Sequence, residues 1–254
     1  MKIAIASGKG GTGKTTLSIN LAQMLSHQTN GSKDVVLIDL DVEEPNSGVF
    51  IHGSVVHRET KYRQIPEINF DKCTFCGRCK EVCNFNAIAT LPENVLIFPE
   101  LCHSCNACVG LCPENAMSMK DYEMGELVEV AHDNLKFVES TLNIGEQQAV
   151  PLISQAIEYS DKTFRDDSVF IYDSPPGTSC PMIESVKGAD FVILVSEPTP
   201  FGLHDLKLSV ETMQKLGKSF GVVINRDGLG EDLIGEYCSE HQVPLLGRIP
   251  DLSG

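Results

Sequence analysis

The sequence contains no tryptophan, and aromatic residues of all kinds make up only 6% of it. A wide, aromatic-lined ligand groove is therefore not expected. Positive charge is scarce as well. Twenty Lys and Arg stand against 35 Asp and Glu, a formal net charge of −15. Such an excess of acid argues against a nucleic-acid backbone or an anionic membrane as the main partner. It suits solubility and recognition of a basic protein. Long apolar runs are missing too: no stretch is long enough to span a bilayer. Residues 1–14 run straight into a glycine loop and lack the apolar core of a signal peptide. The expected location is the cytoplasm.

What is present is a chain of 254 residues with 42% apolar content, rich in Leu, Ile and Val. That suits one α/β domain with a small insert, or two small domains. Ten cysteines in a cytoplasmic chain are not expected to form disulfides. Eight of them fall between Cys73 and Cys112, a density that points to metal.

Hydrophobic patterning predicts an alternation of strands and helices. Strands are expected over 2–7, 35–38, 169–172, 191–195, 221–224 and 244–249. Their apolar residues run unbroken, as in parallel strands covered on both faces. Helices are expected over 14–27, with Leu17, Leu21, Met24 and Leu25 at helical spacing, and over 150–164 and 231–241. Leu203, Leu206, Val210 and Met213 mark one face of another. Such alternation implies a mostly parallel sheet wrapped on both sides. Between 53 and 126 the pattern changes to short apolar pieces without a long helix. The predicted organisation is the first part of an α/β domain, 1–52, an insert, 53–126, and the second part of that domain, 127–254. The sequence stops at Gly254, just past the last predicted strand, where one more covering helix would be expected.

Gly8-Lys9-Gly10-Gly11-Thr12-Gly13-Lys14-Thr15 matches the phosphate-binding pattern G-x-x-x-x-G-K-[ST] between a strand and a helix. The glycines allow backbone N–H groups to face a phosphate chain, and the helix N-terminus adds partial positive charge. Lys14 is placed to reach the β- and γ-phosphates of ATP, and the Thr15 hydroxyl to bind Mg2+. The plainer alternative is a glycine-rich turn with a chance Lys-Thr.

Cys73-x2-Cys76-x2-Cys79-x3-Cys83 and Cys102-x2-Cys105-x2-Cys108-x3-Cys112-Pro113 are two full bacterial-ferredoxin motifs, offset by 29 residues. In such a pair the fourth cysteine of each motif ligates the other cluster. Cys73, Cys76, Cys79 and Cys112 are assigned to one 4Fe–4S cluster, and Cys102, Cys105, Cys108 and Cys83 to a second. Structural zinc is the rival, but zinc sites pair two separated Cys-x2-Cys knuckles. Asn84 stands where the second motif has its proline, which touches turn rigidity and not ligation. His103, between ligands, reads as a surface residue, and Cys238 as a core thiol.

The string Lys9-Gly10-Gly11-Thr12-Gly13-Lys14-Thr15-Thr16 resembles the deviant phosphate loop of the MinD/ParA/nitrogenase-iron-protein superfamily. That resemblance implies a homodimer across the nucleotide, with Lys9 contacting the partner's nucleotide. Asp39-Leu40-Asp41 resembles switch I, with Asp41 orienting the attacking water and Asp39 supporting the Mg2+ shell. Asp173-Ser174-Pro175-Pro176-Gly177 resembles switch II, with Asp173 near Mg2+ through water. Asn225 matches the adenine-reading asparagine, and Pro250 the loop closing over the base. Cys180 follows Asp173 at the offset of a cluster-ligating cysteine in the nitrogenase iron protein. Without an obvious second cysteine beside it, Cys180 reads as a structural thiol.

Together, the chain resembles MinD-superfamily ATPases carrying an inserted two-cluster ferredoxin domain. The implied fold is α/β, a mostly parallel P-loop sheet plus a small α+β bacterial-ferredoxin-like insert. The implied activity is ATP hydrolysis gating electron transfer to or from an unidentified protein. The alternatives are an ATP-dependent carrier that delivers clusters to an acceptor protein, and a MinD-like positioning ATPase with a structural cluster module.

Overall fold

The computed structural model describes residues 1–251. The chain runs β1 (Lys2–Ala6), α1 (Lys14–Thr29), β2 (Val35–Asp39), β3 (Ser54–Ile68), α2 (Arg78–Glu81), β4 (Ile88–Leu91), β5 (Asn94–Ile97), α3 (Ala107–Gly110), β6 (Met117–His132), β7 (Leu135–Leu142), α4 (Ala149–Thr163), β8 (Val169–Asp173), α5 (Cys180–Lys187), β9 (Phe191–Ser196), α6 (Pro200–Lys215), β10 (Phe220–Asp227), α7 (Leu233–Glu240) and β11 (Leu245–Pro250). Among the described residues the large sheet has the order β11-β10-β9-β1-β8-β2-β7-β6-β3. From β11 to β7 the strand pairings among the described residues are parallel.

Two compact units form. The larger takes residues 1–59, 127–141 and the chain from Ile153 onward; the smaller takes Thr60–Glu126 and Leu142–Leu152. In the larger unit the apolar runs of β1 and β2 are buried as parallel strands require. Ile5, Leu37, Phe137 and Ile171, from four neighbouring strands, make the centre of its core with Ile19 and Ala22 of α1.

The buried face of α1 differs from the predicted stripe. Ser18, Ile19, Ala22 and Ser26 lie deepest, Leu17, Leu21 and Leu25 flank them, and Met24 is exposed. Small side chains let the helix axis approach the sheet closely, and the leucines then splay to the sides. In α6 the predicted face is largely kept, with Leu206, Val210 and Met213 buried.

Strands β3, β6 and β7 were not expected from the pattern. β3 reads SVVHRETKYRQIPEI, with charged residues through its middle, and it lies at the sheet edge. Edge strands carry charge and tolerate proline, here Pro66, because one row of backbone groups faces away from any neighbour. That masks the apolar alternation used to recognise a strand.

In the smaller unit the helices α2 and α3 are four residues each. The 29-residue repeat is written into the backbone. Phe75 and Ser104, Gly77 and Asn106, and Asn86 and Asn115 are equivalent pairs, and all six have positive φ. α2 and α3 begin one repeat apart, as do β4 and β6. β4 and β5 form an antiparallel hairpin, Ile88 opposite Ile97. Ile88, Val95, Cys108 and Met117 form the centre of this unit's core.

Candidate functional sites

In the larger unit the glycine loop joins the buried end of β1 to the start of α1. Gly11 and Gly13 have φ of 77° and 92°, a region that residues with a Cβ adopt reluctantly. At Gly13 a Cβ would sit 2.3 Å from Asn225 Nδ2. That amide donates to the Thr12 carbonyl at 2.9 Å. Asn225, at the end of β10, thus holds the loop itself.

Lys14 is buried, and burial lowers its ammonium pKa against the pull of Asp173, Asp41 and Asp39. Asp39 and Asp173 sit opposite one another on the paired strands β2 and β8. Each therefore projects from a strand end at the same edge of the sheet, where ligands of open α/β sheets bind. Asp39 is fully buried. Its carboxylate accepts the backbone N–H groups of Asp41 at 3.0 Å, Asn46 at 3.1 Å and Ser47 at 3.0 Å. It is the anchor on which the loop 41–47 folds, and burial still pushes its pKa up.

Asp173 accepts from Ser18 Oγ at 2.9 Å and Ser47 Oγ at 3.4 Å, and is hydrogen-bonded to Thr15. Burial, with the nearby charge of Asp39, pushes its carboxyl up to about 7. Asp41 is raised to about 6 by burial and by Asp39, with Lys14 opposing. Three carboxylates and one ammonium are thus packed together with negative charge in excess.

A cavity of about 570 Å³ opens beside them, lined among others by Gly10, Gly11, Lys14, Thr15, Thr16, Asp41, Pro176 and Arg226. Its size suits a nucleotide. Pro250 is at the end of β11, paired with Asp227 of β10, the residue after the cavity-lining Arg226.

Lys9 forms an ion pair within its own chain, Nζ to Glu197 Oε2 at 3.4 Å. Arg226 approaches the other oxygen of Glu197 at 2.9 Å, as an ion pair without hydrogen-bond alignment. Glu197 belongs to no motif, and the sequence reading missed it. Glu139 of β7 was missed too; its carboxylate accepts the Gly48 N–H at 3.2 Å, next to the anchored loop. Period-2 patterning around 135–142 was the one available signal for it. Cys180 is exposed at the start of α5, and Cys238 is buried in α7.

In the smaller unit the eight cysteines divide between two cavities. One is lined by Cys73, Cys76, Cys79 and Cys112, with Ile68, Val95 and Met117 on its walls. The other is lined by Cys83, Cys102, Cys105 and Cys108. The fourth cysteine of each motif therefore faces the first three of the other. Cys83 Sγ and Cys112 Sγ each accept a backbone N–H four residues on, from Ala87 and Ala116, both at 3.3 Å. Burial raises the Cys79 thiol, and burial with neighbouring Cys102 pushes Cys108 up to about 11. A bound cation would reverse that preference, since thiolates are the ligating form. Among the described residues, no three Cys, His, Asp or Glu side chains converge on a single metal ion. His103 stacks on Phe85 at 3.8 Å between ring centres, at the wall of the second cavity.

Known proteins agree with the larger unit. An uncharacterised protein of Methanocaldococcus jannaschii is 32% identical over 253 residues, 99% of this chain and 87% of its own. A ferredoxin of Alicyclobacillus acidocaldarius is 34% identical over 65 residues, 26% of this chain and 74% of its own. Among solved structures, the septum site-determining protein MinD of Pyrococcus horikoshii, complexed with Mg-ADP, superposes with a TM-score of 0.55. It is 19% identical, covering 98% of this chain and 81% of that one, which speaks to the fold. The family described as CbiA, the CobQ/CobB/MinD/ParA nucleotide binding domain, matches residues 3–254. With its phosphate loop and carboxylate cluster in place, this chain belongs to the CobQ/CobB/MinD/ParA family and is a MinD/ParA-like nucleotide-binding ATPase.

Proposed function

We propose that this ATPase is an iron–sulfur protein in which ATP binding and hydrolysis gate electron transfer through two 4Fe–4S clusters. The observation that carries the proposal is the sorting of eight cysteines into two crossed sets of four, each around its own cavity. Cys73, Cys76, Cys79 and Cys112 would hold one cluster, and Cys83, Cys102, Cys105 and Cys108 the other. A cuboid spreads its four ligands more widely than one ion does, in keeping with the lack of a single-ion convergence among the described residues. Such clusters, when bound, carry single electrons.

On the nucleotide side, loop N–H groups and Lys14 bind the β- and γ-phosphates. Their negative charge favours the ammonium form of Lys14, which burial disfavours. Thr15 binds Mg2+, with Asp173 beside it and Asp39 supporting through the loop it anchors. Asp41 orients the attacking water. The loop 41–47 answers to the terminal phosphate, as switch segments do. The chain then leads from it through β3 into the cysteine-bearing unit, a covalent route for that response. In the dimeric state Lys9 leaves Glu197 and reaches the nucleotide of the other copy.

The test is anaerobic reconstitution with iron and sulfide, followed by reduction and addition of Mg-ATP or apo-acceptor protein. Eight irons retained, with reversible reduction whose rate to a redox protein depends on ATP, is the expected result. ATP-dependent loss of clusters to the acceptor would replace this reading with the carrier. Reduction indifferent to nucleotide would leave a positioning ATPase with a structural cluster unit. The Lys9→Ala variant should bind nucleotide as a monomer yet hydrolyse it slowly; unchanged turnover would remove the cross-subunit role.

A further inference from the structure

The two cysteine sets are alike in spacing and unlike in support. Phe70–Cys73, the approach to the first motif, is held by its own short turn. Asp71 N–H donates to Asn69 Oδ1 at 3.0 Å, and Lys72 N–H to the Asn69 carbonyl at 3.2 Å. The equivalent approach to the second motif, 99–102, makes a short turn of its own, Leu101 N–H donating to the Phe98 carbonyl at 3.1 Å and Cys102 N–H to the Pro99 carbonyl at 2.9 Å, but it is held in addition by a distant side chain. Arg63 of β3 is 4% exposed. Its NH1 donates to the Cys102 carbonyl at 3.0 Å, and its NH2 to the Pro99 carbonyl at 2.7 Å.

The remaining face of the guanidinium is taken by Glu146. Nε donates to Oε2 at 3.0 Å and NH2 to Oε1 at 3.3 Å. Both side chains of this ion pair are nearly fully buried, at 2% and 3% exposure. Glu146 is itself fixed, its Oε1 accepting the backbone N–H groups of Gln147 and Gln148, both at 2.9 Å. The guanidinium also lies 4.9 Å from the Tyr122 ring centre. A planar fork with five donors fits this arrangement, and an ammonium could satisfy only part of it. A buried ion pair of this kind contributes little net stability over apolar residues of similar volume, so its presence points to a use other than stability.

We propose that Arg63 is a positioning residue for the second cluster. It holds the backbone of Cys102 in ligating position, while Glu146 fixes the guanidinium. The proposal rests on the two-cluster reading above. Cys102, whose backbone Arg63 holds, is buried, while its counterpart Cys73 is only half-buried. It also places the second cluster's support on residues 143–148, the segment that runs directly into α4.

The experiment compares the reconstituted wild type with the Arg63→Met/Glu146→Gln double variant, which removes both charges together and leaves neither buried alone. Both are challenged with a chelator in the presence of a thiol-alkylating reagent, and labelled cysteines are mapped by peptide mass spectrometry. In the double variant, Cys83, Cys102, Cys105 and Cys108 should be labelled at least about 10-fold faster than in wild type. The Cys73 set should keep its wild-type rate. The reduction midpoint of one cluster signal should move and the other stay. Arg63→Lys, which keeps a charged donor, should fall between. Equal acceleration of both sets would mean a generally loosened unit and would overturn the proposal, as would no acceleration at all. Wild-type protein that holds no iron would overturn both this proposal and the cluster reading, and that result is visible before any variant is made.

Discussion

The two units build their sites in opposite ways. In the smaller one, the cysteines come from consecutive turns of chain, and the same backbone conformation is used twice, 29 residues apart. In the larger one, Lys14, Asp39, Asp173 and Asn225 come from α1, β2, β8 and β10, and only the sheet brings them to one edge. Local spacing therefore sets the first site, while the second exists only once the sheet has closed. With the proposed clusters bound, the smaller unit would draw much of its folding free energy from metal ligation. The nucleotide site is preformed and carries unrelieved negative charge.

That contrast can be broken most sharply at Lys14. The Lys14→Ala variant should lose about 10²–10³-fold or more in hydrolysis, while iron content and visible absorption stay at wild-type level. A matching loss of iron would show that the units do not assemble independently. The complementary variant, Cys83→Ser, should lower bound iron to about half, since Cys83 serves the cavity of Cys102, Cys105 and Cys108. Mg-ATP binding should persist, and loss of the Cys73 set instead would refute crossed ligation.

The charge excess in the nucleotide site has a signed pH signature. Asp173 has a folded-state value of about 7 against an ordinary 3.8. The folded state thus favours the protonated acid, and ionisation is penalised there. Stability from this group is fully present below about pH 4, is lost as pH rises through about 7, and stays lost above. Asp173→Asn removes the penalty. Without nucleotide, that variant should melt higher than wild type at pH 8, by a gain on the order of a few kcal/mol at most, and by a smaller margin at pH 5. Thermal unfolding at the two pH values reads it directly; an equal or reversed difference would contradict the electrostatic account. Mg-ATP should stabilise wild type more than the variant.

The smallest effect is expected at Asn225. Its bond to the Thr12 carbonyl has a net value of about 1 kcal/mol. Asn225→Ala should therefore weaken ADP binding roughly 5-fold by calorimetry, through a looser loop. A loss confined to adenine nucleotides, with inorganic triphosphate unaffected, would favour base reading instead.

Legibility followed the same division. The phosphate loop, the buried strands β1, β2, β8 and β9, and the partition of the cysteines were readable, because each depends on residues close in sequence. Glu197, the partner of Lys9, was not, since nothing in a lone glutamate before Pro198 signals which loop the fold will lay against it. β3 and β6 escaped because their charged residues hide the alternation. On α1 the periodicity was visible, yet it pointed at the leucines when Ser18, Ala22 and Ser26 face the sheet.

By itself, the sequence determined the chemistry on offer: a glycine loop able to wrap phosphate, and thiols at ferredoxin spacing, both set by short-range backbone geometry. The tertiary structure alone decided that Asp39 would spend its carboxylate on three backbone N–H groups, that Lys9 would meet Glu197, and that Arg63 would grip Cys102. The last two of those contacts join residues far apart in the chain. Which of them form depends on strand order and burial, and no local pattern encodes either.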